Sequence, residues 1–216
     1  MTTADPVPVK PEYFALAASL QLLVRAWLES RGKPRVVIGI AGESGSGKSV
    51  TATCLARELA TASISTAVLH QDDYFRLPPR TNHEHRLLDL ANVGPHEVDL
   101  ELMERHIAAF RARRDGVIGP LVDYPSDRFL TKPLDFASCL ALVVEGTYAL
   151  QLRDIDLRIF LEATHVATKA RRRIRNRDID APIIDRVLEI EHRLIAPQAA
   201  TAHILIAEDF EVKATR

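Results

Sequence analysis

The chain has 216 residues, 47% of them hydrophobic, and its 28 Lys and Arg residues nearly balance 29 Asp and Glu residues, leaving a formal net charge of −1. This apolar content excludes a disordered chain, and the near-neutral charge argues against a dedicated nucleic-acid-binding protein. The N-terminus lacks a secretory signal, and no uncharged apolar run reaches the roughly 20 residues of a membrane helix, so we expect a cytoplasmic protein without membrane or nucleic-acid partners.

Hydrophobic periodicity divides the chain into alternating helices and strands. After a loose tail over residues 1–10, a helix is predicted over residues 11–31, because apolar residues at helical spacing end at Gly32 and Pro34. The next predicted elements are, in chain order, a strand over 35–41, a helix over 48–60, a strand over 64–70, a loop region over 71–97, a helix over 98–114, strands over 139–146 and 157–163, helices over 165–177 and 181–197, and a strand over 202–208. This alternation predicts an α/β domain over residues 35–216 with a mostly parallel, five-stranded sheet flanked by helices, preceded by an N-terminal tail and helix over residues 1–34.

The segment GESGSGKS matches the phosphate-binding pattern G-x-x-x-x-G-K-[ST]. Its glycines let backbone amides approach phosphates, and the following helix directs its positive dipole end at the same anion. Lys48 is placed to neutralise the β- and γ-phosphates, and the Ser49 hydroxyl to bind Mg²⁺. The pattern lies between a predicted buried strand and a helix, which is the context it requires. The sequence therefore predicts a nucleoside triphosphate site made by Gly42, Glu43, Ser44, Gly45, Ser46, Gly47, Lys48, Ser49 and Val50.

Two carboxylates stand at the ends of predicted strands. Asp72 follows the second strand in HQDDYF, and Glu145 ends the strand of VVEGTYAL. In open α/β sheets, ligands bind at the carboxyl ends of the strands. Asp72 is therefore a candidate for the base that accepts a hydroxyl proton, or for a group that binds Mg²⁺, and Glu145 is a candidate Mg²⁺ ligand. A turn or helix cap is the structural alternative for Asp72.

Arginines are concentrated in KARRRIRNRD, on the helix predicted over residues 165–177. Arg172 and Arg175 lie on one helical face, and Arg173 and Arg177 on another. Guanidinium groups match phosphate oxygens, so this helix is a candidate lid over bound ATP. A solvated charged face is the alternative interpretation.

In order and spacing, GESGSGKS, QDDYF, VVEGTYAL and the arginine-rich helix resemble the uridine kinase and phosphoribulokinase family of P-loop kinases, over about residues 35–207. The resemblance implies a P-loop NTPase fold with an arginine-bearing lid at about residues 165–180 and a small acceptor-side subdomain. It implies ATP and Mg²⁺ as cofactors, and transfer of the γ-phosphoryl group to a hydroxyl of a nucleoside, riboside or sugar-like metabolite. A non-catalytic nucleotide sensor is the alternative function.

The resemblance also implies roles for single residues. Asp72 takes the role of general base near Mg²⁺, and Glu145 that of a Mg²⁺ ligand. Arg172 and Arg175 take the lid positions that bind ATP, with Arg177 as the alternative. The residues that would contact the acceptor are Asp73, Tyr74, Tyr124 and Arg128.

The chain departs from uridine kinases on the acceptor side. Val93, in NVGPHEVD, stands where those kinases carry a ribose-binding aspartate, and VDYPSDRF lacks the histidine near their pyrimidine-reading hairpin. We therefore expect an acceptor other than uridine. The helix over residues 11–31 precedes the resembling region and is expected to pack on the sheet or, in a homo-oligomer, on a partner subunit.

Overall fold

A computed structural model of the chain describes residues 9–32, 34–168 and 182–215. Within these residues it contains five α-helices and eight β-strands. The helices are α1 (Pro11–Arg31), α2 (Lys48–Thr61), α3 (Pro79–Leu88), α4 (Leu100–Arg111) and α5 (Pro182–Ile195). The strands are β1 (Val36–Gly42), β2 (Thr66–His70), β3 (Val117–Asp123), β4 (Arg128–Leu134), β5 (Ala141–Glu145), β6 (Leu157–Leu161), β7 (Ile204–Ile206) and β8 (Val212–Ala214).

The central sheet has the strand order β2-β5-β1-β6-β7-β8. The first five strands in this order are parallel, and they are the five strands that the sequence predicts. The predicted strand count was nevertheless wrong, because β8 adds a sixth, antiparallel strand beside β7. This edge strand has only three residues, and two of them are exposed, so it carries little hydrophobic pattern.

Helices cover both faces of the sheet, which is why its central strands are apolar throughout. All seven residues of β1 are buried, as expected for a parallel strand with helices on both sides. On one face, Leu20 of α1 and Leu55 of α2 pack in the same core as Ile38. On the other face, Met103 of α4 packs in the core that contains Val37. Helix α1 therefore belongs to the core of the sheet.

Residues 71–97, predicted to be a loop region, contain regular structure. A 3₁₀ turn covers Gln71–Tyr74, α3 follows, and two further 3₁₀ turns cover Leu90–Asn92 and Pro95–Glu97. The prediction was wrong because α3 is a polar helix that buries only Asn82, so it lacks an apolar stripe. Its start is marked by Pro79, a residue suited to the first helical turn.

Strands β3 and β4 form a separate two-stranded antiparallel hairpin. Apolar periodicity did not predict these strands, because most of their residues are exposed or half-buried and each contains a proline. Proline is tolerated in such edge strands. The lid helix predicted over residues 165–177 lies largely outside the described residues, and so do Arg172, Arg175 and Arg177. Among the described helices, none combines the length and the hydrophobicity needed to cross a bilayer.

Candidate active site

Three adjacent parallel strands end together at one edge of the sheet. In their register, Glu145 of β5 lies beside Ile40 of β1 on one side and beside His70 of β2 on the other. The phosphate-loop segment after β1 and the 3₁₀ turn after β2 therefore begin at the same edge as Glu145. This pairing brings together the segments that carry Lys48 and Asp72, which are far apart in the sequence.

The phosphate-loop segment joins β1 to α2 through residues 43–47. Gly47, the residue before α2, has a φ of 102°, a conformation that favours glycine. A Cβ atom there would also lie 2.2 Å from the hydroxyl oxygen of Tyr13 in α1. The neighbouring Ser46 hydroxyl is buried and has no hydrogen-bond partner within the described part of the chain. The loop thus contains a buried hydroxyl without a hydrogen-bond partner among the described residues, next to a backbone turn that is tightly packed against Tyr13.

Lys48 lies at the first position of α2 and points back over the loop. Its Nζ donates a hydrogen bond of 2.9 Å to the carbonyl oxygen of Glu43. Burial lowers the pKa of Lys48 from its ordinary value, and the negative charges of Glu145 and Asp72 oppose this shift. The three predicted residues therefore interact electrostatically at the sheet edge.

Glu145 is buried, with 3% of its surface exposed. Its Oε1 lies 2.8 Å from Nδ1 of His70, the last residue of β2. This hydrogen bond raises the pKa of His70, against the opposing effect of its burial. His70 is a site residue that the sequence did not single out, because its contact with Glu145 depends on the pairing of β2 with β5.

Asp72 and Asp73 bind different parts of the β3–β4 hairpin. The Tyr124 hydroxyl, at the tip of the hairpin, donates a 2.9 Å hydrogen bond to Oδ2 of Asp72. The buried Asp73 accepts hydrogen bonds from the backbone amide of Val122 at 2.9 Å and from Lys132 Nζ at 2.7 Å. Asp72 is thus a half-buried carboxylate that accepts a hydrogen bond from Tyr124, whereas Asp73 fixes the position of the hairpin.

The other predicted site residues have different surroundings. Tyr74 is buried in the core and its hydroxyl lies 2.7 Å from Nδ1 of His106, so it faces α4. Arg128 is exposed at the first residue of β4, and Ser49 is exposed in the first turn of α2. The structure therefore joins Tyr124 to Asp72, and it places Tyr74 among core side chains.

Gln71 connects the turn of Asp72 to the segment after Glu145. Its Nε2 donates to the Thr147 hydroxyl at 2.9 Å, and its Oε1 accepts from the Tyr148 amide at 2.8 Å. A Cβ atom on Gly146 would lie 2.2 Å from Cβ of Gln71, so the glycine permits this contact. The sequence contains both residues within the QDDYF and VVEGTYAL motifs, but it gives no sign that one holds the other.

An ionic network lies where α3 and α5 meet. Arg86 of α3 donates through Nη2 to Glu97 at 2.9 Å and lies 3.1 Å from Glu191 of α5. Burial raises the pKa of Glu191, since the charge of Arg86 offsets only part of the desolvation. Glu97 belongs to NVGPHEVD, four residues after Val93, and is buried by these contacts. The only acid in the first six residues of this segment is therefore already bonded to Arg86 and Asn82 of α3.

The family model described as the phosphoribulokinase / uridine kinase family matches residues 37–213. The chain belongs to the phosphoribulokinase and uridine kinase family. It is accordingly a kinase, a phosphotransferase whose acceptor is a hydroxyl group. The predicted resemblance is confirmed, and the α/β sheet with its parallel strands is the fold expected for it.

Curated relatives and a solved structure agree with this assignment. The bifunctional alpha-galactosidase/sucrose kinase AgaSK of Mediterraneibacter gnavus is 30% identical over 210 residues, 91% of this chain and 22% of that protein, so the chain spans about a fifth of that relative's length. A uridine kinase of Ureaplasma parvum serovar 3 is 30% identical over 148 residues, 67% of this chain and 70% of the relative. A structure from Silicibacter sp. TM1040, described as a fructose transport system kinase, has a TM-score of 0.62 and 25% identity and covers 86% of this chain and 94% of its own.

Proposed function

We propose that the chain transfers the γ-phosphoryl group of Mg²⁺-bound ATP to a hydroxyl of a sugar-like or riboside metabolite. The observation that carries this proposal is the meeting of Lys48, Glu145 and Asp72 at one sheet edge, with Tyr124 on Asp72. The first two residues are suited to the phosphate donor and its metal. The third is suited to the acceptor hydroxyl.

The residues present fit ATP and Mg²⁺. The buried Ser46 hydroxyl lacks a partner among the described residues, and a phosphate oxygen would supply one. Gly47 has a φ of 102°, a backbone conformation that favours glycine, and it precedes the helix whose first amides would face the phosphates. Ser49, Glu145 and Asp72 offer only oxygen atoms, which are the ligands that Mg²⁺ prefers. We propose these three residues as the metal-holding set.

Asp72 is the proposed general base. When the acceptor oxygen forms its bond to the γ-phosphorus, its proton passes to the Asp72 carboxylate, and the bond to the β-phosphate oxygen breaks to leave ADP. Tyr124 orients this carboxylate through its hydrogen bond. Lys48 stabilises negative charge on the phosphates, and bound Mg²⁺ supplies further charge neutralisation. Arg172 and Arg175 remain proposals for ATP binding, and Arg128 remains one for the acceptor.

Sugars are the acceptors that we place first. Val93 offers no carboxylate where a ribose-binding acid is expected, and Glu97 is already bonded to Arg86 and Asn82. The relative that matches 91% of this chain is named in part as a sucrose kinase, and the Silicibacter structure is described as a fructose transport system kinase. Both names point to hydroxyl-rich acceptors without a nucleobase.

The test is a measurement of ADP formation with fructose, sucrose, uridine, nicotinamide riboside and pantothenate, each with and without Mg²⁺. We expect Mg²⁺-dependent ADP formation that rises strongly with one sugar and stays near the acceptor-free rate with uridine. A Lys48→Met variant is the control for contaminating kinases. ADP formation that no acceptor increases would contradict the proposal and favour a nucleotide sensor.

A further inference from the structure

Side chains that could ligate a metal ion meet at the phosphate loop, on the side of β1 where β6 lies. Glu43 lies in the loop, His165 follows β6, and His192 lies on α5. Glu43 Oε2 is 2.9 Å from Nδ1 of His165, and Glu43 Oε1 is 2.6 Å from Nδ1 of His192. One ligand atom from each residue can be chosen so that all three lie within 4.8 Å of one another. Three separate segments thus meet at one carboxylate.

The carboxylate at the centre of this group is buried and charged. Glu43 has 5% of its surface exposed, and its Oε2 also accepts a 2.6 Å hydrogen bond from the backbone amide of His165. Burial alone would raise the pKa of Glu43, but the hydrogen bonds from His192 and His165 outweigh it and lower the pKa. The two imidazole rings lie beside each other, with centroids 5.6 Å apart.

We propose that Glu43, His165 and His192 form a binding site for a first-row transition-metal ion of the Zn²⁺ class. Imidazole and carboxylate groups are ligands for such ions, whereas Mg²⁺ favours oxygen ligands alone. A tetrahedral Zn²⁺ ion with bonds of about 2.0–2.1 Å needs its ligand atoms roughly 3.3 Å apart. The hydrogen-bonded atoms would have to separate by less than about 1 Å, and a pair of ligand atoms at the 4.8 Å limit would have to approach by about 1.5 Å, to admit the ion.

This site would differ from the proposed Mg²⁺ site in ligand chemistry and in position. Mg²⁺ would be held by Ser49 of α2 and by the carboxylates at the ends of β5 and β2, whereas the His–Glu group connects the loop after β1 to the segment after β6 and to α5. A bound ion would therefore tie the phosphate loop to α5. Since Glu43 precedes Lys48 by only five residues and its carbonyl accepts from that side chain, the ion would hold the loop near its phosphate-binding lysine.

The test is a titration of the full chain, freed of metal by EDTA dialysis, with Co²⁺ as a spectroscopic substitute for Zn²⁺. Excess Mg²⁺ is included to fill oxygen-only sites. We expect one Co²⁺ per chain, a visible spectrum typical of a four- or five-coordinate ion, and displacement by Zn²⁺. His165→Gln and His192→Gln should each weaken binding at least ten-fold, the lower end of what the loss of even an outer-shell partner costs. His85→Gln, an exposed histidine of α3, is the matched control and should bind like the wild type.

A measurement on the wild type tests the same site without relying on the variants, so it can be used if either variant fails to fold. X-ray absorption of the Zn²⁺-loaded chain should show two imidazoles among the nearest ligands. Three results would overturn the proposal: no stoichiometric Co²⁺ binding, a six-coordinate spectrum, or unchanged Co²⁺ affinity in both folded variants. Each would mean that the three side chains form only a hydrogen-bonded contact. Because the readout is metal binding, its outcome is independent of whether the proposed acceptor is right.

Discussion

The adjacent carboxylates Asp72 and Asp73 have different surroundings, and this difference predicts a catalytic role for one and a structural role for the other. Asp73 is buried and bonded to Lys132 and to the Val122 amide, so its oxygens serve the hairpin. Asp72 is half-buried, carries the Tyr124 hydroxyl and interacts with Lys48 through its charge. A substitution at Asp72 should therefore affect the reaction, and one at Asp73 should affect stability.

We predict that Asp72→Asn lowers turnover by about 10²- to 10⁴-fold, the usual contribution of a general base. An asparagine keeps the size of the side chain but cannot take the acceptor's proton. ATP binding, measured by calorimetry, should stay close to that of the wild type because the loop is unchanged. Asp115→Asn, an exposed residue between α4 and β3, is the control. Full turnover in the Asp72 variant would remove this residue from the mechanism.

A buried histidine, His106, predicts how the stability of the folded state depends on pH. His106 is 5% exposed and bonded to Tyr74, and burial together with the charge of Arg105 lowers its pKa below the ordinary 6.5. Between the lowered pKa and 6.5, the unfolded chain binds a proton that the folded chain does not. The stability that neutral His106 contributes is therefore complete above pH 6.5 and is lost as the pH falls.

We predict that the free energy of unfolding of the wild type, relative to His106→Gln, decreases as the pH falls from 8 to 5. The slope for one proton is at most about 1.4 kcal/mol per pH unit. Urea denaturation at several pH values measures it. His85→Gln on the surface of α3 should show no such trend, and a difference that grows with acidity would refute the assigned pKa direction.

The sequence predicted the candidate site residues that belong to recognisable motifs. It missed the residues whose contacts depend on which strands lie side by side in the sheet. Lys48 could be predicted because phosphate binding requires a lysine at that spacing. His70 and Gln71 could not, since their partners, Glu145 at the end of β5 and Thr147 just after it, are about 75 residues away. For Tyr74 the motif predicts a position near the acceptor, which stays a prediction, whereas the structure shows its hydroxyl 2.7 Å from Nδ1 of His106 on α4.

Helix α1 shows how one face of a helix contributes to the core of the sheet. Leu20 is completely buried in the core shared with β1, whereas Leu22, two residues later, is 63% exposed. We predict that Leu20→Ala lowers the free energy of unfolding by about 2.7–5.0 kcal/mol, the range of buried Leu→Ala substitutions. The same substitution at Leu22 should change it by no more than about 0.5 kcal/mol. Denaturant unfolding measures both, and equal effects would show that α1 does not pack on the core.

The elements with strong hydrophobic patterns could be predicted, and the polar ones could not. Buried runs such as VVIGIAG became strands because both faces of the sheet are covered. Helix α3 and the β3–β4 hairpin bury few apolar side chains, so their stability depends on contacts with segments that are distant in the sequence. Asp127 illustrates this, since its carboxylate accepts hydrogen bonds from the Arg80 and Thr81 amides at the start of α3. Such a contact becomes visible only when the hairpin is next to the helix.

Tyr13, near the start of the described chain, lies beside the phosphate loop and packs on a residue near the end of that chain. The Tyr13 ring of α1 packs edge-on against Phe210, near the C-terminus, with ring centroids 4.8 Å apart. Its hydroxyl oxygen occupies the space that a side chain on Gly47 would need. The family model begins at residue 37, so α1 precedes the matched region and still contacts its nucleotide-binding loop.

We predict that Tyr13→Ala raises the KM for ATP by about three- to ten-fold, equivalent to roughly 0.7–1.4 kcal/mol of lost loop order. The ring supports the backbone at Gly47, and its removal leaves the loop free to adopt arrangements that do not bind phosphates. The KM for the acceptor should stay close to the wild-type value, because Asp72 and Tyr124 lie on other segments. Phe14→Ala, an exposed neighbour on the same helix, is the matched control. Steady-state kinetics at a temperature where both variants are folded distinguishes the outcomes, and equal ATP KM values in the two variants would show that α1 stabilises the fold without supporting the loop.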